Sequence, residues 1–274
     1  MIDSSTLRKL QLSELTILKE IKRVCQLHGI EYSLAGGTLL GALRHKGFIP
    51  WDDDIDIYMT LDNFIKFEEV ASTSLKKKFF FQTPKTDSEC KSYFCGRVRL
   101  EGTIFESNSL PNNWKHNGIF VDVLPVLKVP KSKIKQKIFF YFFQVLIRII
   151  WLRNDYNPHP SHPLFYLIMK LTYYFSFLCP SKLIENILVN YHKKYESLKD
   201  FMYIDLLSSN FNSSIIEKNL FETLKEIQFE DDYFTVFDDS EVFLTKYYGD
   251  WKKLPPKEEQ IPHHILKIDF GDYS

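Results

Sequence analysis

The sequence predicts an α/β chain of the α+β kind, a mixed sheet core with flanking helices followed by a helical, aromatic-rich C-terminal half. Three observations carry this. Residues 7–28 place Leu10, Ile17, Ile21 and Val24 at helical spacing and end on Gly29, a helix terminator. A strand-like run at residues 30–34 leads through Gly36-Gly37 into a short helix over residues 39–45. The alternation of Asp54-Ile55-Asp56-Ile57-Tyr58-Met59 then has the period of two that marks a strand. A helix near residues 61–71 follows, and further strand signals stand at residues 79–82, 93–100 and 119–123.

The chemistry concentrates around the glycine pair. Gly36 and Gly37 let backbone N–H groups approach an anion closely and open a helix whose N-terminus favours negative charge. The run Asp52-Asp53-Asp54-Ile55-Asp56 supplies hard oxygen ligands for a magnesium-type cation. On a strand Asp54 and Asp56 project together, and a divalent cation relieves the repulsion between them. An acidic run by itself is more often a solvated loop or a helix cap, but the glycine pair before it and the apolar alternation through it favour a site. In the strand at residues 119–123, Asp122 faces away from Val121 and Val123. It is either a third carboxylate beside the pair or a strand-end residue satisfied by a turn.

The chain has 274 residues, 45% of them hydrophobic, and a formal net charge of zero, enough to bury a sizeable core. A neutral chain without aromatic RNA-binding or helix-turn-helix motifs gives no footprint for nucleic acid. Residues 1–6 lack the basic-then-apolar pattern of a secretory signal, so the expected location is the cytoplasm. Cys25, Cys90, Cys95 and Cys179 form no CxxC pair and suit reduced thiols. A zinc site from Cys90, Cys95 and His116 is disfavoured by the loose spacing.

After Pro125 the chain turns basic and then apolar. Lys128, Lys131, Lys133, Lys135 and Lys137 precede a greasy run over residues 138–151. That run is shorter than the roughly 20 apolar residues that span a bilayer, and Gln144 and Arg148 interrupt it. Residues 164–179 contain Lys170 and are disfavoured likewise. A buried helical layer and a Lys-flanked face resting on a membrane surface both fit. The expected organisation is a catalytic core over residues 1–127 and a helical region over residues 128–274 packed on it, the latter facing the membrane or binding an acceptor.

The chain resembles the LicD family of phosphocholine and related phosphoalkyl transferases, which includes the fukutin-related proteins. The resemblance rests on residues 35–42, on the block from Arg44 through Pro50-Trp51-Asp52-Asp53-Asp54-Ile55-Asp56, on Phe120-Val121-Asp122-Val123-Leu124-Pro125, on Tyr247-Tyr248-Gly249-Asp250-Trp251, and on Pro255-Pro256 with His263-His264. It implies a nucleotidyltransferase-like fold, with a glycine turn mapping to Gly36, Gly37 and Thr38, an Asp-x-Asp strand to Asp54 and Asp56, and a third carboxylate to Asp122. It also implies Mg²⁺ or Mn²⁺ held by those three aspartates. The implied reaction moves phosphocholine or a similar phospho-alcohol from CDP-choline or another CDP-alcohol to a glycan acceptor, lipid-linked in one version, with CMP leaving. Peripheral contact with the inner face of the cytoplasmic membrane would suit such an acceptor. Arg44, Lys46, Arg97 and Arg99 are candidates for the diphosphate, the last two sharing a strand face as a forked clamp or serving as partners of carboxylates. His263 and His264 match the family's terminal pair, and an adjacent pair equally suits a structural hydrogen-bonding role. A nucleotidyltransferase that activates a small phosphate ester and a silent membrane-associated scaffold are the alternatives, and the intact acidic block argues against the scaffold.

Overall fold

The computed structural model describes residues 3–90, 95–107, 115–153, 170, 174, 181–262 and 265–273. Helix α1 (Ser4–His28) is capped by Asp3, whose carboxylate accepts from the N–H groups of Ser5 and Thr6, and it ends where Gly29 takes φ +59°. Strand β1 (Ser33–Leu34) is shorter than the predicted run. Helix α2 (Gly36–His45) begins three residues earlier than predicted, taking the glycine pair into its first turn. Strand β2 (Asp56–Thr60) opens on Asp56, helix α3 (Leu61–Ser74) starts on the Thr60 cap, and β3 (Phe79–Gln82), β4 (Gly96–Leu100) and β5 (Ile104–Ser107) follow.

Strand β6 (Phe120–Pro130) is the spine of the sheet and much longer than the predicted segment. The order is β1-β2-β6-β4-β3, with β2 and β6 parallel and the other neighbours antiparallel. The far half of β6 pairs with β7 (Phe201–Ile204), and β7 pairs with β8 (Ile215–Ile216). Position 127, the expected domain boundary, therefore lies inside one strand. Helices α1 and α3 pack on the sheet, and the main core joins Leu10, Ile17 and Ile57 to Phe234, Phe237 and Phe243 from far along the chain.

The greasy run forms helix α4 (Lys133–Arg153). Its Phe139, Phe140, Phe143, Leu146 and Ile147 join Leu127 and Val129 of β6 and Ile204 of β7 in a second cluster. Gln144, an interruption in the apolar pattern, donates to the carbonyl of Leu206 at 2.9 Å, which fixes the rotation of the helix. No helix among the described residues is long and apolar enough to cross a membrane. Residues 154–169, most of 170–180, and His263 and His264 lie outside the described residues, so the expectations placed on them have no structural counterpart here.

Helices α5 (Ser181–Tyr195), α6 (Phe211–Ser214) and α7 (Lys218–Glu222) lead to the hairpin of β9 (Leu224–Phe229) and β10 (Asp232–Phe237), then to α8 (Ser240–Tyr248) and β11 (Ile265–Asp269), which pairs with β5. The hairpin is clipped to α1 by Arg8 with Glu230, by Lys19 with Asp231 at 2.7 Å and by Lys22 with Asp232 at 2.9 Å. Its Glu230 also accepts from the N–H of Phe48 at 3.1 Å, which pins the turn that leads to the acidic run.

Candidate active site

The first turn of α2 is tied to the start of β2. Ala35 N–H donates to the carbonyl of Asp56 at 3.0 Å, and Asp56 N–H donates to Thr38 Oγ1 at 2.9 Å. Thr38 is thus spent on the backbone, holding the turn. Gly36 has φ +49°, where an L side chain is strained, and a Cβ there would stand 3.2 Å from Asp56 Oδ2. A Cβ on Gly37 would stand 2.8 Å from Asp52 Oδ2. The carboxylates therefore occupy the space that the missing side chains leave, which is a physical reason for the glycine pair. Ala35 caps α2 without a side-chain hydrogen bond, so the N-terminal N–H groups are not closed off by the cap residue.

Asp52, Asp54 and Asp56 are half-buried and alternate with buried Asp53, Ile55 and Ile57. Asp52, Asp53 and Asp54 can each bring one oxygen within 4.8 Å of the others. The parallel pairing of β2 and β6 sets Asp56 directly beside Asp122. Burial, then Asp54, then Asp122 push the Asp56 carboxyl well above its usual range, and burial with Asp54 and Asp53 pushes Asp52 up to about 8. Crowded carboxyl groups of this kind strongly favour a divalent cation once ionised.

Strand β4 lies on the other side of β6, so Arg97 is registered against Asp122, with Nε 2.8 Å from Oδ1. Burial works against the Arg97 charge, but Asp122 prevails and raises its pKa. Arg99 shares that face, over the Phe120 ring like Arg97. It is only 1% exposed and donates to Gln82 Oε1 at 2.6 Å and to the carbonyl of Gly118 at 2.7 Å. The two were expected either as a forked phosphate clamp or as partners of carboxylates, and here Arg97 faces the Asp122 carboxylate. Arg97 serves Asp122, and Arg99 binds the sheet to the loop before β6.

Arg44 donates from Nη1 to the carbonyl of Trp251 at 2.8 Å, tying α2 to the turn after α8. Lys46 is exposed and follows the C-terminus of α2, at the far end of that helix from the glycine pair. Cys95 is buried with Sγ 3.2 Å from Asp122 Oδ1, while His116 stacks on Phe80 with Nδ1 3.0 Å from Glu101 Oε1. Each thus has a partner of its own.

Four residues that the sequence alone left without a role border the carboxylates. Glu14 is 2% exposed, its Oε2 has no hydrogen-bond partner among the described residues, and burial followed by Asp54, Asp53, Asp52 and Asp56 raises its pKa well above the usual value. The signal was legible, because Glu14 interrupts the apolar stripe of α1 between Leu10 and Ile17. Its neighbour Gln11 donates to the carbonyl of Asp52 at 2.9 Å. Asp205, just after β7, accepts from Tyr58 Oη at 3.0 Å, and no motif pointed to it. Tyr248, the last residue of α8, sets its phenol oxygen 4.0 Å from the Cβ position of Gly36, and burial, then Tyr247 and Asp56, raise its pKa.

Comparison with known proteins adds a lineage. The family described as LicD/FKTN/FKRP, nucleotidyltransferase domain, matches residues 29–153, the stretch that carries α2, the acidic run and Asp122. The lipopolysaccharide cholinephosphotransferase LicD of Haemophilus influenzae is 33% identical over 269 residues, which is 95% of this chain and 96% of that protein. The human ribitol 5-phosphate transferase FKRP is 43% identical over 47 residues, 17% of this chain and 10% of that protein. An uncharacterised protein of Rickettsia typhi is 39% identical over 62 residues, 23% of this chain and 20% of that protein.

Proposed function

The chain belongs to the LicD/FKTN/FKRP family, and from that premise we propose that it transfers phosphocholine, or a similar phospho-alcohol, from a CDP-activated donor to a hydroxyl of a cell-surface glycan, with CMP leaving. The likeness to the Haemophilus influenzae enzyme over nearly the whole chain supports choline as the alcohol and lipopolysaccharide as the acceptor class. Teichoic acid remains a second acceptor of the same chemistry.

One geometric fact supports the reading above the others: Asp56 and Asp122 stand side by side in a parallel register, against a glycine-opened helix N-terminus. Carboxylate oxygens are hard donors, and their crowding fits Mg²⁺ or Mn²⁺, which Asp54, Asp56 and Asp122 would hold. Such a cation, when bound, neutralises charge on phosphoryl oxygens and acts as a Lewis acid, worth several kcal/mol of barrier. The N–H groups of the Gly36-Gly37 turn bind phosphate oxygens. Arg97 orients Asp122, which either joins the cation's donor set or takes the proton of the acceptor hydroxyl. Thr38 keeps the turn and the strand in register.

Phosphorus NMR of the protein with CDP-choline and Mg²⁺, with and without crude membrane glycan, tests this, with Asp54→Asn as control. CMP together with a new phosphodiester signal, made by the wild type alone, is the expected result. An unchanged donor spectrum excludes CDP-choline. A nucleotidylated product with pyrophosphate would replace the proposal with nucleotidyl transfer.

A further inference from the structure

Helix α4 has two apolar faces, and the fold uses one. Phe139, Phe140, Phe143, Leu146 and Ile147 are packed on β6 and β7. Ile134, Ile138, Tyr141, Phe142 and Val145 are between 47% and 72% exposed. At 100° per residue, positions 134, 138, 141, 142 and 145 fall in one stripe along the helix. Gln136, donating to the carbonyl of Pro130 at 2.9 Å, and Gln144 lock the helix rotation, so this stripe is held outward.

Charge surrounds the stripe. By the same spacing, Lys133, Lys137 and Arg148 border one edge and Lys135 the other, all four exposed. Residues 131–153 contain no Asp or Glu. Among the described residues, Lys133, Lys135 and Lys137 form no ion pair, whereas Lys131 pairs with Asp200 at 2.6 Å and Lys128 with Asp62 at 3.2 Å. The basic cluster read from the sequence therefore narrows to the residues that flank the stripe. An apolar ridge with cationic side chains on both edges matches the interface of an anionic bilayer: the ridge enters the acyl boundary and the long basic side chains reach the headgroups. An apolar protein partner would satisfy the ridge and leave the cations unpaired.

We propose that the outer face of α4 is a membrane-docking surface that seats this protein flat on an anionic lipid bilayer. Docking of this kind needs no catalytic turnover and stands apart from the reaction proposed above.

Sedimentation of the full chain with vesicles tests it, using pure phosphatidylcholine and an equimolar mixture of phosphatidylglycerol with phosphatidylcholine. The wild type should pellet with the mixed vesicles, less so at high salt, and not with pure phosphatidylcholine. At about fivefold per lysine, the variant with Lys133→Gln, Lys135→Gln and Lys137→Gln should lower partitioning on the order of 100-fold. Ile138→Ser with Phe142→Ser should weaken it by tenfold or more through lost apolar insertion. These positions are exposed, so circular dichroism and melting should stay unchanged. Equal pelleting of wild type and variants, no pelleting at all, or unfolding of the Ser variant would overturn the proposal, the last by showing the face to be core. A dimer dissolved by the Ser variant, with no lipid capture, would assign the face to a second copy instead.

Discussion

Removing Arg97 should destabilise the protein more than removing its partner Asp122. The guanidinium and carboxylate are 2.8 Å apart, and their side chains are 11% and 21% exposed. At an effective dielectric of about 20 the gross attraction is about 6 kcal/mol, largely offset by the cost of taking both charges from water. Breaking such a pair by deleting one member leaves the other stranded, typically at about 3–5 kcal/mol. Arg97→Met keeps the packing volume but leaves Asp122 beside Asp56 with no cation, so it should fall at the top of that range. Asp122→Asn strands Arg97 but also relieves the Asp56 carboxyl, which Asp122 pushes up, so it should cost about 1–2 kcal/mol less. The double variant should be more stable than the sum of the singles implies, with a coupling of about 2 kcal/mol or more. Urea unfolding of the four proteins in metal-free buffer measures all of this. Additivity within about 0.5 kcal/mol, or Asp122→Asn as the worse single change, would refute the assignment of Arg97 as the counter-ion of this site.

Two further outcomes follow from the same geometry. Gly36→Ala should cost about 1–2 kcal/mol from the φ +49° backbone and should depress turnover more than that, since its Cβ would press on Asp56; an unchanged Tm and rate would show the turn to be permissive. In metal-free protein, Asp52 keeps its proton up to about pH 8 when folded but loses it near pH 4 when unfolded, and Glu14 and Asp56 are shifted the same way. The stability conferred by those protons is present at low pH and is lost as pH rises, so the Tm should fall between pH 5 and 8. Added Mg²⁺ should raise the Tm more at pH 8 than at pH 5, and a flat profile with a pH-independent Mg²⁺ effect would contradict an ionisable cation site.

Much of the site was legible because its elements are local. Residues 36–56 contain the turn, the short helix and the carboxylates in one continuous stretch, so periodicity alone places them together. The arginines show the limit: period two correctly puts Arg97 and Arg99 on one face, yet which partner each meets depends on the strands and loops set against β4. Arg97 meets Asp122 because β6 is the neighbouring strand, and Arg99 meets Gln82 and Gly118 instead of solvent. Glu14 and Asp205 became part of the neighbourhood only through packing of α1 and β7.

By itself the sequence determined the membership of the family, the α+β class, the order of the first elements and the acidic block beside a glycine turn, because each is written in spacings of a few residues. The tertiary structure decided the rest. It selected the parallel register that brings Asp122 to Asp56, the ion pair that fixes Asp122, the burial that raises the carboxyl pKa values, and the face of α4 that stays outside. These depend on contacts between residues tens to hundreds of positions apart, set by which surfaces can be buried together, and a local pattern does not encode them.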